Sequence, residues 1–168
     1  MTLVVLIGAS GSGKTTIAQA VEAKHAGKIS VHYFDHIGVP SVEQMIADYG
    51  SPARWQYAMT VAWMKRLAAL AQSQKKLLFE GQMRLAFVTE AAETAGISCR
   101  SILIDCDDDT RRHRLAVDRG QPELANDEMI GWAAFLRREA ITANAEILDT
   151  SSLSLDESVA AVIERLSQ

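Results

Sequence analysis

The chain reads as an α/β protein, a parallel five-stranded sheet with helices on both faces. Two observations predict this. Short apolar runs alternate with helical patterns from end to end, the signature of a helix-covered parallel sheet. The first run, Leu3-Val4-Val5-Leu6-Ile7, leads directly into Gly8-Ala9-Ser10-Gly11-Ser12-Gly13-Lys14-Thr15, a complete G-x-x-x-x-G-K-[ST] phosphate-binding loop that opens a helix. At 168 residues the chain fits one domain, residues 1–168, long enough to bury a proper core.

The elements follow in order. Strands are expected at residues 2–7, 29–34, 76–80, 100–105 and 146–149. Helix starts carry their own signals: Ser41 to Gln44 and Ser154 to Glu157 are capping-box patterns, and Ser51-Pro52 is an N-cap followed by proline. Gly96 and Gly120 sit where helices should stop. After Pro52, Tyr57, Val61, Met64, Leu67 and Leu70 recur at helical spacing, an amphipathic face for the core. Trp55 and Trp63 fall in this stretch and read as packing, with ligand lining as the lesser alternative.

The loop has a task for each residue. Its glycines let the backbone turn so that successive N–H groups face phosphate oxygens, and the helix dipole adds positive potential. Gly8 through Thr16 are therefore the expected nucleotide contacts. Lys14 is expected at the β- and γ-phosphates, and the Thr15 hydroxyl at a Mg²⁺ that bridges them.

Ligands in open α/β sheets collect outside the carboxyl ends of the strands. The second strand ends on Asp35 and His36. Asp35 is placed to orient an acceptor hydroxyl or take its proton, although capping a turn ahead of Pro40 would also explain it. The third strand ends on Glu80-Gly81-Gln82-Met83-Arg84. Glu80 is the favoured acid for Mg²⁺ or substrate, with Asp105 at the end of the fourth strand as its rival, and Arg84 offers a forked donor for a phosphate or carboxylate. Residues 107–127 read as a lid in which Arg111, Arg114 and Arg119 share a face, with Arg137 and Arg138 returning from the other side. Such arginines can offset the charge of a transferring phosphoryl group. They also fit a solvated helical face with ion pairs.

Composition narrows the partners. A net charge of −4 without long basic runs argues against nucleic acid. No apolar run approaches a bilayer span, and no basic-then-apolar leader opens the chain, so a cytoplasmic protein without a membrane partner is expected. Cys99 and Cys106 lack metal or redox spacing and read as reduced thiols.

Taken in this order, the loop, the strand-end Asp35, the Glu80-to-Arg84 segment and the arginine-rich lid resemble the small P-loop kinases: adenylate, shikimate and gluconate kinases and the chloramphenicol phosphotransferases. The resemblance implies a three-layer P-loop NTPase fold with sheet order 2-3-1-4-5, ATP with Mg²⁺, and a lid supplying arginines. Glu80 to Arg84 keeps the spacing of the adenylate kinase D-G-x-P-R segment, with Glu for Asp and Met for Pro, which implies that Arg84 holds an anionic group of the acceptor; Glu80 and Arg138 are also expected at the substrate. Asp35 is similar to the strand-end Asp that acts on the acceptor hydroxyl. Thr150, after the last strand, resembles the loop bordering the adenine. The adenylate kinase S-T-G-D-x-x-R segment and the shikimate kinase D-x-D and G-G-G patterns are absent. The expected activity is γ-phosphoryl transfer from ATP to a hydroxyl of a small-molecule or nucleotide-like acceptor. The alternative is a nucleotide-dependent switch with a protein partner and no such acceptor.

Overall fold

The computed structural model describes residues 2–73 and 76–168. Five parallel strands, β1 (Thr2–Ile7), β2 (Ser30–Tyr33), β3 (Lys76–Gly81), β4 (Arg100–Asp105) and β5 (Glu146–Asp149), form one sheet in the order β2-β3-β1-β4-β5. This is the expected P-loop NTPase architecture, and the strand predictions hold to within one residue at each end. β1 lies at the centre, pairing with β3 from Thr2 opposite Lys76 to Ile7 opposite Gly81.

Helices α1 (Lys14–Lys24) and α7 (Leu155–Ser167) cover one face; α3 (Pro52–Leu70), α4 (Leu85–Ala95) and α6 (Asp127–Thr142) cover the other. The period-two geometry of a strand divides β1 between them. Leu3, Val5 and Ile7 join Trp63, Leu67, Val88 and Leu136 in one core. Val4 and Leu6 join Ile17, Val21 and Val162 in the second. A strand buried on both faces has to be apolar throughout, which is why residues 3–7 show no alternation.

The caps behave as the residue types require. Ser41 and Ser51 accept from the backbone N–H of Gln44 and Arg54, heading α2 (Val42–Tyr49) and α3. Ser154 and Glu157 make a complete capping box on α7. Gly96 ends α4 at φ +63. Trp55 and Trp63 are core residues: Phe34 meets Trp55 edge-on, Trp63 packs on Phe79, and Trp63 Nε1 donates to the Phe34 carbonyl at 3.0 Å. Among the described residues no helix is long and apolar enough to cross a membrane.

Candidate active site

β1 delivers the chain into the phosphate loop, and α1 starts at Lys14 immediately behind Gly13. Gly11 and Gly13 adopt φ of +79 and +94, the left-handed steps that alternate with ordinary residues to make a nest of inward N–H groups. Close approach explains Gly8, because a Cβ there would lie 2.4 Å from the Ile104 carbonyl oxygen. A cavity of about 500 Å³ opens beside the loop, bounded by Gly13, Thr15, Thr16, Arg114, Arg119 and Thr150. That volume suits a small ligand or cofactor.

Register brings the third strand's acid to the loop. Glu80 pairs with Leu6 of β1, and both of its carboxylate oxygens accept from the Thr15 hydroxyl at 3.3 Å. Burial raises the Glu80 pKa above the ordinary carboxylate range, against the pull of nearby Lys14 and the Thr15 bond. Lys14 is itself buried. Desolvation holds its pKa below the ordinary value, while the charges of Glu80 and Asp35 draw it back up. Lys14 therefore feels both carboxylates. A hydroxyl beside a desolvated carboxylate is a hard-oxygen pair of the kind Mg²⁺ takes, so these side chains fit the ion.

Asp35 follows β2 in a short 3₁₀ turn, Phe34–Ile37, and is exposed. His36 is also exposed, its ring 4.9 Å from that of Tyr33. Gly81 leaves room for the core rather than for a ligand: a Cβ there would sit 2.5 Å from Phe34 Cβ. Gln82, whose amide carries no sequence signal of its own, accepts from the Ser10 hydroxyl at 3.1 Å through Oε1, and its backbone carbonyl accepts from Gln56 Nε2 at 2.9 Å. Arg84 lies over the rings of Phe87, Trp132 and Phe135 at 5.2, 5.9 and 5.0 Å. Among the described residues it has no carboxylate partner, so its fork stays available for an anion while the rings hold its plane. Asp35, Glu80 and Arg84 do not line the 500 Å³ cavity.

The lid arginines take different roles. α5 (Asp108–His113) runs into a wide π-type turn over Arg114–Asp118. Arg111 is fully buried; its Nη2 meets Asp105 Oδ1 at 2.7 Å and its Nη1 the Ser10 carbonyl at 2.8 Å. It thus lies behind the loop, a correction to its expected place over the phosphates. Arg114 is likewise engaged, donating to Thr150 Oγ1 and carbonyl and to the Ser12 carbonyl. Thr150, expected at the adenine, is 3% exposed and spends its hydroxyl on the carbonyls of Ser12 and Asp105. Among the described residues, Arg119 lines the cavity with neither an ion pair nor a side-chain hydrogen bond, whereas Arg114 lines it with its donors engaged. Arg137 turns inward onto Asp105, Nε to Oδ2 at 2.5 Å. Arg138 lies in a separate groove between α4 and α6, away from the phosphate loop. With both oxygens of Asp105 held by arginines, Glu80 is the acid left free to face Thr15.

Comparison with known proteins agrees with the fold. Residues 4–130 match a family model described as AAA domain. No curated protein matches the chain. Among solved structures, a gluconokinase from Sinorhizobium meliloti 1021 is 17% identical with a TM-score of 0.69, covering 99% of this chain and 91% of that one. A sugar kinase from Janibacter sp. HTCC2649 is 16% identical with a TM-score of 0.72, covering 99% and 95%. A shikimate kinase from Acinetobacter baumannii is 15% identical with a TM-score of 0.62, covering 99% and 93%. At such identities the likeness establishes a shared fold.

Proposed function

This chain belongs to the AAA-domain family, and from that premise we propose that it is an ATP- and Mg²⁺-dependent phosphotransferase acting on a hydroxyl of a small-molecule acceptor. The observation that carries the proposal is the convergence of four groups on one sheet edge. Lys14 heads the phosphate loop, Glu80 faces the Thr15 hydroxyl, and Asp35 lies close enough to act on the Lys14 charge. A nucleotide-storage site would need the loop alone; the exposed carboxylate of Asp35 beside it supplies what an attacking hydroxyl requires.

In this assignment Gly8 to Thr16 hold the phosphates, and Lys14 stabilises charge on the transferring group. Thr15 and Glu80 would hold Mg²⁺, which supplies electrostatic neutralisation of the phosphate oxygens. Asp35 aligns the acceptor hydroxyl and takes its proton as the new bond forms. Arg84 grips an anionic group of the acceptor. Arg119, on the segment between the π-type turn and Gly120, is the arginine free to close over the nucleotide as a lid over residues 107–127, excluding water that would otherwise accept the phosphoryl group. Arg111 and Arg114 act on the loop rather than on the substrate.

ADP release from ATP and Mg²⁺ across a panel of nucleosides, nucleoside monophosphates, sugars, sugar acids and aminoalcohol antibiotics tests this, with Lys14→Ala as the blank. Release that depends on one acceptor class supports the kinase. One observation favours the switch as a second reading: Ile37, Val39, Val42, Ile46 and Tyr49 are exposed in a single segment, the last three on one face of α2. Tight ATP binding with no acceptor-stimulated release, together with nucleotide-dependent capture of a protein lost in Val42→Ser/Ile46→Ser, would replace the kinase by the switch.

A further inference from the structure

Three consecutive carbonyls on the back of the phosphate loop are each taken by side chains from the β4–α5–β5 region. Arg111 Nη1 donates to Ser10 O at 2.8 Å, and the Cys106 thiol reaches Gly11 O at 3.6 Å. Thr150 Oγ1 and Arg114 Nη1 donate to Ser12 O at 2.9 and 3.2 Å. In a nest the N–H groups of successive residues point one way and the carbonyls are turned aside. Fixing the carbonyls therefore fixes the directions of the N–H groups that would meet phosphate.

One carboxylate organises these donors. Asp105, at the end of β4, holds Arg111 through Oδ1 and Arg137 of α6 through Oδ2. Its backbone carbonyl accepts from both the N–H and the hydroxyl of Thr150, at 2.8 and 3.0 Å. Arg111 and Arg137 also converge on the Cys106 carbonyl, at 3.3 and 3.2 Å. Asp105 is 7% exposed at its side chain and Arg111 is 0% exposed, so these bonds form where water competes little.

We propose that Asp105, with Arg111, Arg137 and Thr150, forms a set of positioning residues that presets the phosphate loop for the nucleotide. The assignment rests on the reading of this loop as the nucleotide site. None of the four reaches phosphate in this role. Their influence passes through the loop N–H groups, so it falls on phosphate affinity and leaves nucleoside contacts alone.

The test compares ADP with adenosine by competition against a fluorescent ADP analogue. The variants are Thr150→Val, which keeps the shape of the side chain and removes its donor; Thr150→Ser, which restores the donor; and Arg137→Met, which frees one oxygen of Asp105 on the partly exposed side. Thr150→Val and Arg137→Met are each expected to weaken ADP about tenfold, the scale of one hydrogen bond lost, with adenosine changed less than about twofold. Thr150→Ser is expected to bind ADP as the wild type does. Equal losses for ADP and adenosine, or no loss for ADP, would overturn the positioning role. Failure of Thr150→Ser to recover affinity would do so too, since bulk packing and not the donor would then matter. A wild-type protein that binds no ADP removes the nucleotide reading itself, an outcome distinct from wild-type binding with unaffected variants.

Discussion

Lys14→Met is expected to raise stability while it weakens phosphate binding. Lys14 is 9% exposed. Burial holds its pKa below the ordinary 10.5, Glu80 and Asp35 pull it up, and Arg119 and Arg111 push it down. The downward sum means that the fold disfavours the ammonium even with two carboxylates in range. Between the folded-state value and 10.5 the folded protein binds fewer protons than the unfolded chain, so stability rises with pH across that window and the whole cost is present below it. Methionine keeps the length of the side chain without the charge. The variant should therefore unfold at a higher temperature than wild type at pH 7, and the gap should close as pH approaches 10.5. Binding moves the other way. Hydrogen bonds to charged groups contribute about 1.5–3 kcal/mol, and about 1.4 kcal/mol is tenfold, so ADP affinity should fall roughly ten- to hundredfold. Thermal unfolding at pH 7 and pH 10, beside ADP titration of both proteins, measures the two effects. A lower unfolding temperature at pH 7, or unchanged ADP affinity, would refute the placement of a desolvated cation at the phosphates.

Three other outcomes are expected. Asp35→Asn should lower acceptor turnover by about 10²–10⁴-fold, the scale of a lost general base, with ATP affinity retained; intact turnover in steady-state assays would remove Asp35 from the mechanism. Glu80→Gln should stabilise the fold at neutral pH. Because burial raises the Glu80 pKa, the folded protein binds the extra proton, stability falls as pH rises through the window above the unfolded carboxylate value, and the advantage of Gln should vanish in acid unfolding below that value. Gly11→Ala should cost roughly 1–2 kcal/mol for a left-handed L-residue, because φ is +79 and the new Cβ would lie 3.0 Å from Leu115 Cγ and 3.1 Å from Arg111 Cγ. Thermal unfolding would then show a drop of about 2–8 °C, and no drop would contradict the loop geometry.

Much of the fold could be read without coordinates because its signals are local. A strand buried on both faces must be apolar along its length, so 2–7 and 100–105 stand out from their surroundings. Capping depends on a side chain reaching a backbone N–H three residues on, so Ser41, Ser51 and Ser154 announce their helices. Glu80 and Thr15 belong to separate motifs, yet each lies at a recognisable place, a strand's carboxyl end or the head of the loop helix.

The arginines mark the limit of that approach. Their spacing suggested one shared task at the phosphates, and the fold divided them, since Arg111 and Arg114 spend donors on loop carbonyls while Arg119 lines the cavity. Whether a guanidinium meets a phosphate or a carbonyl depends on which acceptor the folded chain brings within 3 Å. Asp105 and Ser10 stand 6 and 101 residues from Arg111, and only sheet pairing of β4 beside β1 brings both to it. The amino-acid sequence by itself determined the element order, the phosphate loop and the chemical types available at the strand ends, since these follow from nearest-neighbour periodicity and backbone chemistry. Tertiary structure decided which acid faces Thr15, which arginines stand behind the loop and which one stays free. Those are contacts between distant segments, set by packing and register rather than by spacing along the chain.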